Sequence, residues 1–280
     1  MTSSKTLGGL EEIAGNYDLF LVDQFGVLHD GHTPYAGAIR VLEELKSCGK
    51  QIVLLSNSGK RSAPNAERLS RLGFTEDLYH LLVTSGEVAW HQLSSNTATL
   101  EKRRCLLLSR GGDRSAVEGL NLQLVEDGTE ADIVLISGSE GSQIGLEVYA
   151  ERLRPAAQRG VACLCTNPDK LMITPAGLDF GAGRIAELYE SLGGSVQWIG
   201  KPWSAIYRFA MERSGNPAPE RVIGIGDSVE HDIAGAGGIG AASVLIKAGI
   251  LADTNNRDLS ELFEKHGATP DFLLQSFVWN

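Results

Sequence analysis

The chain has 280 residues, 42 % hydrophobic and 21 % charged, a balance that supports a packed core and excludes a disordered or fibrous chain. A formal net charge of -10 and a pI near 5.1 disfavour nucleic acid and anionic membranes as partners, because the field of the whole molecule repels phosphate polymers. No segment reaches the roughly 18 apolar residues of a membrane span, residues 1–9 lack a signal-peptide stretch, and the four cysteines, Cys48, Cys105, Cys163 and Cys165, are sparse, so a soluble, cytoplasmic protein with reduced thiols is expected.

Apolar runs alternate with segments of helical period along the whole chain, the pattern of a largely parallel sheet covered by helices. Residues 19–22 read as a buried strand ending at Asp23. Residues 36–48 carry Ile39, Leu42 and Leu45 at helical spacing, and Gly49 ends that helix. A strand over 51–55 runs into Ser56, Asn57, Ser58 and Gly59, and residues 63–72 are again helical. From about Val83 the alternation restarts with strands over 105–108, 133–136 and 161–164, enough for a second domain of roughly one hundred residues. A third section begins near Val196, with a helix over 204–213 and strands over 222–225 and 243–246.

In an open parallel sheet the ligand crevice lies at the carboxyl ends of the strands. Three strand ends here carry polar groups suited to one phosphate: Asp23, the trio Ser56, Asn57 and Ser58, and Asp227. A carboxylate facing such a crevice can attack phosphorus and form an aspartyl phosphate that water later hydrolyses; an aspartate at a strand end is also a common turn former. Asp227 and Asp232 lie five apart directly after a strand, and a divalent cation that clamps a phosphate takes oxygen ligands from one or two carboxylates. The alternative for Asp232 is a cap on the helix leading to Ala236. Ser56, Asn57 and Ser58 offer hydroxyl, amide and backbone N–H groups to phosphate oxygens, although their composition also suits an ordinary turn. Lys201, between Gly200 and Pro202, offers an ammonium that can neutralise the nucleophile and the transferring phosphoryl group.

Taken in order, Asp23, Ser56, Lys201, Asp227 and Asp232 resemble the four ordered motifs of the haloacid dehalogenase superfamily. The resemblance is closest to its class IIA phosphatases, which include p-nitrophenyl, pyridoxal phosphate, and nucleotide or sugar phosphatases. Residues 31–34 with Gly37 and Ala38, residues 166–169, and residues 200–204 leading to Ile206 and Tyr207 support it, and it covers nearly the whole chain. The resemblance implies an α/β fold: a Rossmann-like core with a parallel sheet from residues 1–82 and 190–280, and an α/β cap domain inserted at 83–189. It implies Mg²⁺ held by Asp23, the backbone carbonyl of Phe25, Asp227 and Asp232, with Ser56, Asn57, Ser58 and Lys201 on the phosphoryl oxygens of a small phosphorylated metabolite. Asn167 and Asp169, in the cap segment 166–172, are the candidates for substrate contact. Members of the class often dimerise through the cap, which leaves a homodimer open.

Phe25 departs from the class. Most of its phosphatases carry there a second aspartate that protonates the leaving group and then activates water, and a phenyl ring does neither. General acid–base help is worth about 10²–10⁴-fold, so a slow enzyme is expected unless His29, Asp30 or His231 substitutes. Phenylalanine also resembles the aromatic residue of true haloacid dehalogenases, which hydrolyse carbon–halogen bonds without metal. The acidic pair Asp227 and Asp232 favours phosphate and metal over halide. A third reading is a phosphate-ligand-binding protein that has lost turnover at Phe25.

Overall fold

The apolar runs of the sequence become the interior strands of two parallel sheets. The structure, a computed structural model, describes residues 4–96, 103–174, 177–248, 251–252 and 254–280. They group into two compact units: Met1–Ser56, Ala63–Val83 and Lys201–Asn280 form the first, and Asn57–Ser62 with Thr84–Gly200 the second.

The first unit is built on a seven-stranded sheet of β1 (Lys5–Thr6), β2 (Leu19–Asp23), β3 (Gln51–Ser56), β4 (Leu81–Thr84), β12 (Val222–Gly226), β13 (Ala242–Ile246) and β14 (Phe272–Leu274), in the order β1-β14-β13-β12-β2-β3-β4. From β1 to β3 every neighbouring pair is parallel. Leu19, Phe20, Leu21 and Val22 are all buried, as a strand covered on both faces requires. The helix Ala38–Ser47 turns Ala38, Val41, Leu42 and Leu45 inward, the i, i+3, i+4, i+7 stripe of helical period. The chain builds outward from β2 to β3 and β4, then returns on the other side of β2 with β12, β13 and β14. Strand order therefore reverses between β2 and β12, and at such a switch point the loops diverge to leave a crevice.

The second unit contains β5 (Arg103–Leu108), β6 (Leu122–Val125), β7 (Ile133–Ile136), β8 (Ala162–Cys165) and β11 (Ser195–Trp198) in an all-parallel sheet ordered β11-β8-β7-β5-β6. An antiparallel ribbon of β9 (Leu171–Thr174) and β10 (Gly177–Phe180) stands apart from that sheet. Tyr149 and Leu153 from the helix Leu146–Gln158, and Ile185 and Tyr189 from the helix Ala182–Ser191, pack on Leu106, Val134, Ile136, Cys163 and Cys165.

Two expectations shift. The division expected at 189/190 falls inside the helix Ala182–Ser191, and the chain leaves the second unit only at Gly200. Val196, expected to begin the last section, pairs with Cys163 in β11, because a strand that follows a helix over its own sheet is held there by the backbone ladder. The four cysteines are free, three of them core side chains of the second sheet. Among the described residues no helix is long and apolar enough to cross a membrane.

Candidate active site

Register places the site. Asp23 pairs with Leu55 and Val22 with Ile225, so Ser56 and Asp227 each lie one step past the level of Asp23 along their strands, at the switch point between β2 and β12. Beyond β12 the chain turns through Ser228, whose hydroxyl accepts the His231 N–H at 3.2 Å and caps a single π-helical turn, Val229–Ile233. That turn carries Asp232 back under the strand end, where its Oδ2 accepts the Ser228 N–H at 3.1 Å. Ser228 and Asp232 thus close the turn together, one Asp232 oxygen on the Ser228 N–H and the other on Lys201. Wide turns of this kind recur at functional sites because they re-aim a side chain that a regular helix would point elsewhere.

Lys201, only 3 % exposed, reaches in from the start of the segment leading to the helix Ser204–Arg213. Its ammonium donates to Asp23 Oδ1 at 2.5 Å and to Asp232 Oδ1 at 2.7 Å. Oxygens of Asp23, Asp227 and Asp232 all lie within 4.8 Å of one another. Two glycines make this closeness sterically allowed. At Gly26, where φ is +85°, a Cβ would sit 1.9 Å from Asp227 Oδ2; at Gly226 it would sit 2.0 Å from Asp232 Cγ. Any side chain at either position would push the carboxylates apart.

Three carboxylates against one ammonium leave an excess of negative charge in a buried place. Burial, joined by repulsion from Asp232, raises the Asp23 carboxyl to about 7 even though Lys201 and the Gln24 N–H favour its ionised form. Burial and then repulsion from Asp23 and Asp232 raise Asp227 to about 8. The Lys201 ammonium is held well above its ordinary range by the same acids despite burial. Small hard cations take carboxylate oxygens of this kind, so the donor set fits a magnesium or calcium ion whose charge would reverse the penalty on ionisation.

The other expected residues fall out differently. Phe25 points its ring outward, 48 % exposed and edge-on to His29, whose ring centroid is 6.0 Å away. His29, a candidate to substitute for the acid missing at Phe25, is fully buried: its Nδ1 accepts the Gly31 N–H at 2.9 Å, and burial pushes its pKa down to about 4. Asp30 is tied into its own loop by the His32 and Thr33 N–H groups, which hold it down at about 2. His231 contributes its backbone on both sides, N–H to Ser228 and carbonyl to the Tyr207 hydroxyl at 3.1 Å. Asn57, Ser58, Asn167 and Asp169 belong to the second unit, where Asn57 Nδ2 donates to Asp169 Oδ1 at 2.8 Å and Asn167 Oδ1 accepts the Asp169 N–H at 3.1 Å.

With this geometry in view, the comparisons with known proteins agree. A family described as haloacid dehalogenase-like hydrolase matches residues 20–123, and a related hydrolase-like family matches residues 198–278. A crystal structure of a haloacid dehalogenase-like family hydrolase from Brucella suis is 30 % identical, with a TM-score of 0.77 over 88 % of this chain and 94 % of that one. The chain belongs to the haloacid dehalogenase-like hydrolase family. Sugar-phosphatase AraL of Bacillus subtilis is 29 % identical over 91 % of this chain and 89 % of its own. D-glycerol 3-phosphate phosphatase of Mycobacterium tuberculosis is 27 % identical over 86 % of this chain, which spans 66 % of that protein's length. A glycerol phosphate phosphatase from Mycobacterium tuberculosis, solved in complex with magnesium, is 25 % identical with a TM-score of 0.74, covering 95 % of this chain and 76 % of that one.

The raised carboxyls set a pH dependence. Acids that keep their protons to about 7 and 8 when folded, but ionise near 4 when unfolded, make the folded chain the stronger proton binder between those values. The site's contribution to the stability of the metal-free protein therefore falls as pH rises through this range. Below about 6.5 buried, neutral His29 works the other way, so the clean window is pH 6.5 to 8. Urea unfolding there should show the metal-free protein weakening with pH and added magnesium restoring more stability at pH 8 than at 6.5. Asp227→Asn should flatten both trends; equal trends in the variant would contradict the site.

Proposed function

We propose that this hydrolase is a magnesium-dependent phosphomonoesterase that acts on a small phosphorylated metabolite through Asp23. The observation that carries the reading is the Asp23 carboxylate held at 2.5 Å by a buried ammonium, within 4.8 Å of two further carboxylates. The sugar phosphatase and the glycerol phosphate phosphatases among its relatives support the substrate class, a sugar or polyol phosphate.

Asp23 attacks phosphorus; the bond from phosphorus to the ester oxygen breaks, and the phosphoryl group passes to the Asp23 carboxylate. Water then attacks phosphorus, frees inorganic phosphate and restores Asp23. Asp23, the Phe25 carbonyl and Asp227 would hold Mg²⁺, with Asp232 binding it directly or positioning its waters, and the ion would supply charge to screen the phosphoryl oxygens. Lys201 keeps Asp23 aimed and offsets its charge, while Ser56, with Asn57 and Ser58 next along the chain, binds the phosphoryl oxygens. The second unit is the cap that selects the leaving group. Convergent carboxylates favour this chemistry over carbon–halogen hydrolysis, which has no use for a cation site.

Without an acid at position 25, the leaving alkoxide takes its proton from solvent. Turnover then depends steeply on the leaving group, fast for acidic phenols and slow for sugars and polyols.

A magnesium-supplemented panel of p-nitrophenyl phosphate and phosphorylated metabolites should show phosphate release that Asp23→Asn reduces to background. Equal release by variant and wild type would end the proposal. Phe25→Asp should raise turnover on esters with poor leaving groups, up to about 10²-fold, and leave p-nitrophenyl phosphate nearly unchanged. No gain on the poor leaving groups would mean that another residue already donates the proton.

A further inference from the structure

Two side chains from one short stretch of the first unit grip neighbouring residues of its π-helical turn. The Lys201 ammonium donates to Asp232 Oδ1 at 2.7 Å. The Tyr207 hydroxyl, on the first turn of the helix Ser204–Arg213, donates to the His231 carbonyl at 3.1 Å. Within the turn the Ala234 N–H is shared between the Val229 and His231 carbonyls, and Tyr207 gives the second of these a donor from outside.

The His231 carbonyl and the Asp232 N–H belong to one planar peptide unit. That plane is held at both ends, because the Asp232 N–H donates to the Ser228 carbonyl at 2.9 Å. A plane fixed at both ends cannot turn about its flanking bonds, so the direction in which the Asp232 side chain leaves the backbone is set. Its carboxylate then spans from the Ser228 N–H at 3.1 Å to Lys201. Tyr207 itself is 1 % exposed, and a buried phenol needs an acceptor. Burial, then the charge of Asp232, pushes its ionisation up, so the hydroxyl keeps its proton and stays a donor. Gly235 makes room for it: a Cβ there would collide with the hydroxyl and the ring.

We propose that Tyr207 is a positioning residue: its hydroxyl fixes the His231–Asp232 peptide and so aims the Asp232 carboxylate at Lys201 and the cation site. This rests on the phosphatase reading and on the magnesium which that reading assigns to the site. Asp232 is then oriented by two residues of the stretch that also carries the ammonium it binds.

Tyr207→Phe removes one oxygen and keeps the ring, so packing and positioning separate. Magnesium binding, measured by calorimetry, should weaken about fivefold, the worth of one neutral hydrogen bond. At saturating magnesium, kcat for p-nitrophenyl phosphate should fall by a similar factor with KM within about twofold of wild type. Hydrogen exchange in the metal-free variant should quicken over residues 228–236 and stay unchanged in the strands of the sheet. In an Asp232→Asn background the same change should alter magnesium binding by less than about twofold, because the carboxylate it aims is gone. A Tyr207→Phe protein that loses stability in urea but keeps its magnesium affinity, kcat and local exchange would overturn the proposal and leave Tyr207 a packing residue. Equal losses in the two backgrounds would also overturn it. A wild-type protein that neither binds magnesium nor releases phosphate would instead remove the phosphatase reading, and exchange over 228–236 would still decide whether the hydroxyl holds the turn.

Discussion

A buried ammonium shared between two carboxylates organises the first unit's site. Lys201 reaches Asp23 on one side and Asp232 on the other, joining groups from three separate stretches of chain. Removing one member of a buried ion pair leaves an uncompensated charge, typically costing about 3–5 kcal/mol, so none of the three is easily replaced. Asp227 lacks such an ammonium contact among the described residues, and burial, then repulsion from Asp23 and Asp232, raises its carboxyl to about 8. A site with one positive charge and three acids is stable only with protons or a cation, and that demand links its fold to its chemistry.

The rest of the unit serves that closeness. The reversal of strand order between β2 and β12 opens the crevice, the glycines at 26 and 226 let carboxylates approach where a methyl group would collide, and the π-helical turn after Ser228 brings Asp232 under Lys201. Phe25 is the departure. Its ring is turned to solvent, and its histidine and aspartate neighbours are spent on burial or on their own loop. On the proposed reading the site has the electrostatic part of phosphoryl transfer without an acid at position 25, a division that fits acidic leaving groups better than alkoxides.

Much of this was readable from residues. The strand over 19–22 and the acids at 227 and 232 stood out because burial on both faces makes a continuous apolar run, and polar residues at its end then mark the carboxyl edge. The helix over 204–213 matches its expected limits. What sequence did not reveal was mostly two or more contacts away from local pattern. The membership of Asn57–Ser62 in the second unit depends on Asp169 and Glu87, 112 and 25 residues distant. The burial of His29, a candidate substitute for the missing acid, is hidden in the sequence by its polar neighbours, whereas its ring packs near Phe25 and Phe74. β11 was assigned to the wrong side of the boundary since its alternating exposure gives only a weak apolar signal. The glycines at 26 and 226 were visible, but only the position of the opposing carboxylates explains both.

Transfer of the phosphoryl group to Asp23 is the centre of this account, and trapping it is the direct test. The magnesium-loaded protein would be mixed with p-nitrophenyl phosphate, quenched in acid and reduced with borohydride, which converts an aspartyl phosphate to homoserine. Peptide mass spectrometry should then find homoserine at position 23 in the turning-over protein and aspartate in a control without substrate. Steady phosphate release with Asp23 unmodified, or with the modification at another residue, would contradict the account.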